Sequence, residues 1–361
     1  MLAVASLAGL ALGCRTNADS PERGVPSQAE AQTSTSSSAA TSASAATSVG
    51  PVEAASAENP IGREKLLADA TFLASASFNG RGSATEDEAR AAEWIAQELD
   101  REQLGRLGDR IQPFAFGKRQ SRNVVAVIEP STQASERSYV VLGAHYDHLG
   151  TVDGQTFLGA EDNASGTAVA LGVAKVLQRQ RERLRRPVLV VFFGAEELGL
   201  RGSSHFVRSW PKSQGAFTAM VNLDMIGRPL VDDRALWFAA RLLGVLRDVD
   251  PAQAVGVLLS RNAPTSFREL VKTKAEIAQL RAVFPEDLPE SLRSMVTSLA
   301  EGRSDHAPFE QTGVPTIFFS SGESPDYHRT TDRSEKLDAD LMAKRAALIV
   351  DVVMGLSRRE D

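Results

Sequence analysis

Short apolar runs and longer amphipathic ones alternate along residues 59–361. "RNVVAVI" (122–128), "SYVVLGAHYDH" (138–148), "AFTAMVNLDMIG" (216–227) and "VPTIFF" (314–319) are rich in β-branched and aromatic residues and read as strands. "RPVLVVFF" (186–193) is apolar without alternation, the pattern of a strand covered on both faces. Between the strands lie helical patterns. "ARAAEWIAQELDREQL" (89–104) repeats Ala91, Ile95 and Leu99 at helical spacing, behind a capping-box pair, Thr85 and Glu88. "ASGTAVALGVAKVLQRQ" (164–180), "GLRGSSHFVRSW" (199–210) and "LDADLMAKRAALIVDVVMGL" (337–356) are further helices. Strands alternating with helices predict an α/β layered domain with a largely parallel or mixed sheet. The first two runs, separated only by "EPSTQASER", are expected to be neighbouring strands. Residues 231–300 carry helical patches, "RALWFAARLLGVLRDV", "FRELVKTKAEIAQLRAVF" and "PESLRSMVTSLAE", broken by prolines, and are expected to form a helical insertion capping the site.

The amino-terminal pattern differs. "MLAVASLAGLALGC" is apolar, rich in small residues and ends at Cys14, the single cysteine of the chain. It reads as a secretory signal, residues 1–14, and "LALGC" resembles the lipobox of bacterial lipoproteins, in which the cysteine carries the lipid. Ala11 stands where that motif usually has Leu, and no basic stretch precedes the apolar run. The expected location is the bacterial cell envelope, periplasmic or outer-membrane attached, or the secreted fraction, with membrane attachment only through a lipid on Cys14. Residues 15–58, mostly Ser, Ala and Thr, cannot bury enough apolar surface to offset ordering entropy and read as a flexible tether. The expected domain is residues 59–361.

Composition narrows the function classes. The 361 residues are 42% hydrophobic and 24% charged, ordinary for a chain with a sizeable core, and the net charge of −6 argues against a nucleic-acid binder.

Ligands of open α/β sheets bind beyond the carboxyl ends of the strands, where this sequence collects metal-binding residue types. "GAHYDHLG" supplies His145, Asp147 and His148; "GAEDNASG" supplies Glu161 and Asp162; "GAEELG" supplies Glu196 and Glu197. "NLDMIG" adds Asp224, "SDHAPF" adds Asp305 and His306, and "PDYHRTTD" adds Asp326, Tyr327 and His328. Four of the five histidines fall in these clusters. Each motif alone is weak, but several carboxylates gathered in a cleft require cations, and the imidazoles favour zinc over magnesium or calcium. If Glu196 and Glu197 continue the extended geometry of the strand before them, their carboxylates point in different directions.

In combination and in order, these motifs resemble the co-catalytic di-zinc aminopeptidases, the group of aminopeptidase Y and the bacterial leucine-type exopeptidases. The resemblance covers residues about 60–230 and 302–345; residues 231–300 do not match the family's usual connection. It implies a zinc-exopeptidase-like α/β/α sandwich with a mixed central sheet. It implies two zinc ions per chain, one held by His145 and Asp224, the other by Glu197 and His328, with Asp162 bridging both. It implies that Glu196 acts as general base and then acid on a metal-bridging hydroxide, that Asp147 orients His145, and that Tyr327 is a donor to the oxyanion. The substrates it implies are peptides, cleaved at the N-terminal residue.

His148 and His306 are expected to shape the pocket by hydrogen bonding, Asp305 to assist substrate binding, and His205 to be structural; the role of Glu161 stays open. The competing readings are a glutaminyl cyclase-like acyltransferase using one zinc, a carboxypeptidase or dipeptidase reading a substrate carboxylate through Arg228, Arg303 or Arg329, and a non-enzymatic receptor on a decayed peptidase fold. The direct continuation "EELGLRGS" favours the peptidase over the cyclase.

Overall fold

Side chains alternate between the two faces of a strand, and in the central strands of this protein both faces are apolar. The structure, a computed structural model, describes residues 61–131, 137–232, 238, 248–290, 293, 297 and 302–358. The chain divides into two units, Met1–Glu58 and Asn59–Asp361. The apolar start, Cys14 and the tether lie outside the described residues, as do most of residues 234–249 and 289–301.

Among the described residues, eight strands form one mixed sheet in the order β1-β2-β6-β3-β7-β10-β8-β9. These are β1 (Ile111–Phe116), β2 (Arg119–Ile128), β3 (Ser138–His145), β6 (Val188–Phe193), β7 (Ala216–Leu223), β8 (Ala254–Leu259), β9 (Arg281–Val283) and β10 (Thr316–Ser320). A two-stranded ribbon, β4 (Gly150–Val152) with β5 (Gln155–Phe157), stands apart. The inner strands β6, β3, β7 and β10 are mutually parallel, while β2 and β8 flank them antiparallel.

One face of the sheet, with Val124, Ala126, Val140, Leu142, Val190 and Phe192, packs in a single core against helices α1 (Arg63–Leu73), α2 (Glu86–Arg101), α3 (Gly166–Arg179), α5 (Thr265–Ile277) and α7 (Ala339–Ser357). The other face, with Val125, Val127, Val141, Leu189, Val191 and Phe193, packs under α4 (Arg201–Ser209) and α6 (Ala307–Glu310). Alternate residues of one strand thus feed two separate cores, which is the α/β/α layering.

Two expectations change. Strands β2 and β3 are not neighbours, because β6 lies between them, antiparallel to β2 and parallel to β3. Apolar pattern marks strands but not their order; the crossover through α3 returns β6 to the open edge of β3. Residues 254–283, read from sequence as helical, hold β8 and β9 as well as α5, and the two strands extend the central sheet. β9 has only three residues, and β8 stands between two stretches of clearer helical pattern.

The connections position a site. From β3 the chain passes through α3 to β6 on one side, and from β6 through α4 to β7 on the other. Beyond the end of β3 the connections therefore diverge, which opens a crevice at the carboxyl edge. No described helix is long and apolar enough to cross a membrane.

The thinner core rests on aromatic contact. Phe309 of α6 is fully buried, with ring centroids 5.4 Å from Phe217, 6.1 Å from Phe193 and 6.3 Å from Phe206. Phe309→Ala is expected to cost about 3–5 kcal/mol, read as a lowered urea midpoint at unchanged slope. A loss under about 1 kcal/mol would mean that this layer does not share in the cooperative core.

Candidate metal centre

His145 is the last residue of β3, its carbonyl accepting a hydrogen bond from the Thr167 hydroxyl of α3 at 2.8 Å. Asp224 follows the last residue of β7, and Asp162 lies in the turn before α3. Glu197 lies in the turn after β6, and His328 in the loop between β10 and α7. All five residues expected from the sequence are brought together. His145 Nε2 lies 3.3 Å from Asp224 Oδ1 and 3.4 Å from Asp162 Oδ1. His328 Nε2 lies 3.1 Å from Asp162 Oδ2 and 3.2 Å from Glu197 Oε2. His148, expected only to shape the pocket, joins them, with Nδ1 2.9 Å from Glu197 Oε1. Two donor groups result, His145–Asp162–Asp224 and His148–Asp162–Glu197, sharing Asp162.

These residues fit a pair of cations. Asp162 Oδ2 and His328 Nε2 are buried, 3.1 Å apart, and yet not hydrogen-bonded. Atoms in reach of each other but misaligned for a hydrogen bond suit a common third partner. The carboxylates also draw protons onto the rings. Burial lowers the basicity of His145, but Glu196 and Asp224 outweigh it and hold the ring well above the ordinary imidazole range. Burial of His328 is likewise outweighed by Asp162 and Glu197, which push it up to about 10. A field that attracts protons this strongly attracts metal cations by the same means. Imidazole nitrogen mixed with carboxylate oxygen is a zinc donor set.

A layer of hydrogen bonds holds the donors in place. Asp332 accepts from the backbone N–H groups of Glu161 at 3.0 Å and Asp162 at 3.1 Å, which ties the His328 loop to the Asp162 turn. Asn163 Oδ1 accepts from Gly166 and Met225, and its amide donates to the carbonyl of Leu223, which ties that turn to the end of β7. Ser304 donates to Asp224 Oδ2 at 2.7 Å. Glu161, whose role was open, accepts from Gly227 at 2.8 Å and Arg228 at 3.2 Å; burial pushes its carboxyl up to about 7. Arg81, fully buried, donates to the carbonyls of Leu73, Tyr146, Leu158 and Gly159. Arg345, also fully buried, donates to the carbonyls of Ile226, Arg228 and Ala254. Burial lowers both guanidiniums to about 10, so both remain charged at neutral pH. Asp332, Asn163, Arg81 and Arg345 were not singled out from sequence. Asp332 and Asn163 lie within the motifs already quoted; the two arginines carry no local signal.

The Glu196–Glu197 pair corrects two expectations. The pair does not continue the strand, since β6 ends at Phe193 and Ala195 takes a left-handed φ of 52°. The turn is fixed from below. Glu88 accepts from Ala195 N–H and from the Ser121 hydroxyl, each at 2.8 Å, and Asp147 accepts from the N–H groups of Glu196 at 3.0 Å and Glu197 at 3.3 Å. Glu88 therefore does not complete the capping box at the Thr85 backbone; one of its oxygens takes the neighbouring Ala84 N–H. The Asp147 carboxylate stands 3.8 Å from His145 Nδ1, and its backbone carbonyl lies nearer, at 3.3 Å. Gly202 allows α4 to approach the turn, because a Cβ there would lie 2.4 Å from the carbonyl oxygen of Gly194.

The environment splits the two glutamates. Burial, with Glu197, Asp305 and Asp224 nearby, holds the Glu196 carboxyl well above its usual range against the opposing pull of His145. Burial also opposes ionisation of Glu197, but His148 and His328 outweigh it and hold that carboxyl well below its usual range. Asp305 is fully buried and pushed up to about 7 by burial. Tyr327 stacks on His328 with ring centroids 3.9 Å apart. His205 stacks on Phe114 at 5.0 Å, a packing role.

A mixed sheet between helical layers, with two donor groups sharing one carboxylate at its parallel strand ends, defines the two-metal α/β peptidase class. The chain matches Peptidase family M28 over residues 123–240 and 256–353, more than half its length, and belongs to that family. The match takes in residues 231–240 and 256–300, part of the stretch 231–300 expected to depart from the family's usual connection. Aminopeptidase YwaD of Bacillus subtilis is 28% identical over 258 residues, 68% of this chain and 47% of that protein. The glutaminyl-peptide cyclotransferase of Drosophila melanogaster is 25% identical over 254 residues, 65% of this chain and 64% of that protein. The chain thus spans about half to two thirds of the length of these relatives. The LapA aminopeptidase of Legionella pneumophila shares the fold, with a TM-score of 0.63 at 19% identity over 83% of this chain and 73% of that one.

His306 gives the site a pH signature. Its ring is buried against Phe318, with centroids 4.6 Å apart, and burial lowers it to about 4. An imidazole with a depressed folded pKa contributes stability above its unfolded value, about 6.5, that is lost as pH falls from there toward 4. That loss is on the order of 3 kcal/mol. Denaturant unfolding at pH 7 and 4.5 should show it, and His306→Gln should flatten the dependence. An unchanged slope in the variant would assign the acid sensitivity elsewhere.

Proposed function

We propose that the chain is a zinc-dependent exopeptidase, an aminopeptidase that removes N-terminal residues from peptides. The observation that carries the reading is the split of the glutamate pair. Glu197 lies among the donors, 2.9 Å from His148 and 3.2 Å from His328, while Glu196 stands outside both donor groups. His145 and Asp224 would hold one zinc, Glu197 and His328 the other, and Asp162 both. Bound zinc supplies Lewis-acid activation of water and of the scissile carbonyl. Glu196, outside both donor groups, would accept the proton of the attacking water and return it to the leaving amine. Burial and the surrounding carboxylates push the Tyr327 phenol upward, so it keeps its proton and can donate to the oxyanion.

The aminopeptidase reading is supported by the likeness to aminopeptidase YwaD of Bacillus subtilis. The Drosophila relative supports a second reading, cyclisation of glutaminyl N-termini. Of the three arginines offered for a carboxypeptidase reading, two are engaged, Arg228 with Asp326 at 2.7 Å and Arg303 at 3.4 Å from Glu323. We also assign the exported, lipid-anchored location to this proposal, on the apolar start and Cys14 alone. Cys14→Ser should move the protein from the membrane fraction to the soluble envelope fraction; an unchanged distribution removes the anchor.

Free-amino, N-blocked and glutaminyl peptides distinguish the activities. Hydrolysis of free-amino peptides only, abolished by chelator and restored by zinc, is expected. Pyroglutamyl product with release of ammonia would transfer the assignment to the cyclase reading. Glu196→Gln should keep both zinc ions while kcat falls roughly 10²–10⁴-fold. Glu197→Gln should keep one ion. Equal metal loss in the two variants would contradict the division of roles.

A further inference from the structure

The hairpin of β1 and β2 reaches past the strand beside it. Strand β2 pairs with β6 only over Val124–Ile128, so its first residues and the hairpin tip run on beyond the carboxyl end of β6, alongside the glutamate turn. The tip is a two-residue loop, Gly117 and Lys118, closed by the pair Phe116 and Arg119, with Gly117 at a φ of 56°. Asn123 ties this hairpin to both ends of the glutamate turn. Its Oδ1 accepts from Gly194 N–H at 3.2 Å, and its amide donates to the Gly202 carbonyl at 3.0 Å. The Tyr146 hydroxyl donates to the Arg122 carbonyl at 2.7 Å. The sheet and these bonds fix where the tip stands.

Between tip and turn lies a cavity of about 420 Å³, lined by Phe116, Gly117, Lys118, Arg119, Leu198 and Arg201. Leu198 directly follows Glu197, so the cavity shares the turn that carries the glutamate pair. None of its lining residues is acidic and three are cationic, in a chain whose net charge is −6. Among the described residues neither Arg119 nor Arg201 has an ion-pair partner. Arg201 is placed by neutral groups instead. Its Nε donates to the Leu198 carbonyl at 2.8 Å, and its guanidinium carbon lies 5.6 Å from the centroid of the Phe116 ring. Its two outer nitrogens form the fork that matches a carboxylate.

The free ammonium of a peptide suits the acids of the metal crevice and is repelled by these arginines. The residues that follow the first one leave the crevice by its rim. We propose that the cavity is a subsite for a carboxylate on that following part of the substrate, with Arg119 and Arg201 as its cationic partners and Phe116 and Leu198 as its apolar walls. The carboxylate is either the C-terminus of a short peptide or the side chain of an Asp or Glu close behind the N-terminal residue. This rests on the aminopeptidase reading above and adds to it the class of peptide preferred.

The test is peptide binding to the full chain carrying Glu196→Gln, loaded with zinc and read by titration calorimetry, beside hydrolysis by wild type. Trialanine is compared with its C-terminal amide, and amidated alanine peptides with Glu at the second or third position are compared with their Gln counterparts. The carboxylate member of a pair is expected to bind about 3–10-fold more tightly at low salt, the scale of two exposed ion pairs, and to lose that advantage at high salt. Preference for trialanine over its amide assigns the C-terminal carboxylate; preference for Glu over Gln assigns a side chain. Added to this background, Arg119→Gln and Arg201→Gln should each move the ratio toward one, and Arg201→Lys should keep part of it. Equal binding within every pair, or a ratio that neither arginine variant changes, overturns the proposal. Should Arg201→Gln not fold, Arg119→Gln alone decides. A carboxylate preference in a protein whose wild type hydrolyses no free-amino peptide would keep the subsite and overturn the aminopeptidase reading.

Discussion

Three carboxylates, Asp162, Glu197 and Asp224, and three imidazoles, His145, His148 and His328, are crowded into one crevice at the end of a parallel sheet. Like charges this close in a poorly solvated place repel strongly, and each loses hydration on burial. The rest of the site answers that constraint. Further acids, Glu88, Asp147, Glu161 and Asp332, approach the same region, and they spend their oxygens on backbone N–H groups of the turns that carry the donors. The buried cations Arg81 and Arg345 spend their donors on carbonyls of the same turns. Charge and backbone are thus locked together. The loops sit where they do because buried acids and arginines satisfy their peptide groups, and the donor acids are bearable because cations can be drawn into their midst.

Within that field two adjacent residues acquire opposite character. Glu196 and Glu197 share a turn and a common anchor, Asp147, yet His148 and His328 face one and further acids face the other. The separation does not come from strand alternation, which Ala195 breaks with its left-handed backbone. It comes from which loops each carboxylate meets beyond the sheet. Two carboxyl groups pushed apart in pKa can divide acid–base work from charge-holding work, which a symmetric pair could not.

Much of this was legible in the sequence, and the limits have physical causes. Most of the motifs that gather metal-binding residue types lie at or just beyond the end of an apolar run or at the opening of a helix, so periodicity plus residue type located the site, while the choice of His145, Asp162, Glu197, Asp224 and His328 within it came from the resemblance to the di-zinc aminopeptidases. Strand order was not legible, because pairing β6 between β2 and β3 depends on a crossover that leaves no periodic trace. Strand β9 was hidden by brevity, and β8 by the clearer helical patterns on either side of it. Asp332 is four residues from His328 and looked like one more loop charge; its use is visible only when the Asp162 turn is set against it. Arg81 and Arg345 were invisible for the opposite reason. Each serves carbonyls far away in sequence, so nothing nearby announces a buried cation. Their place in the chain, before α2 and within α7, also shows why the closing helix bears on the site although none of its residues is a donor. Through Arg345 it holds the ends of β7 and the start of β8, so that packing of α7 on the sheet and placement of Asp224 are parts of one arrangement.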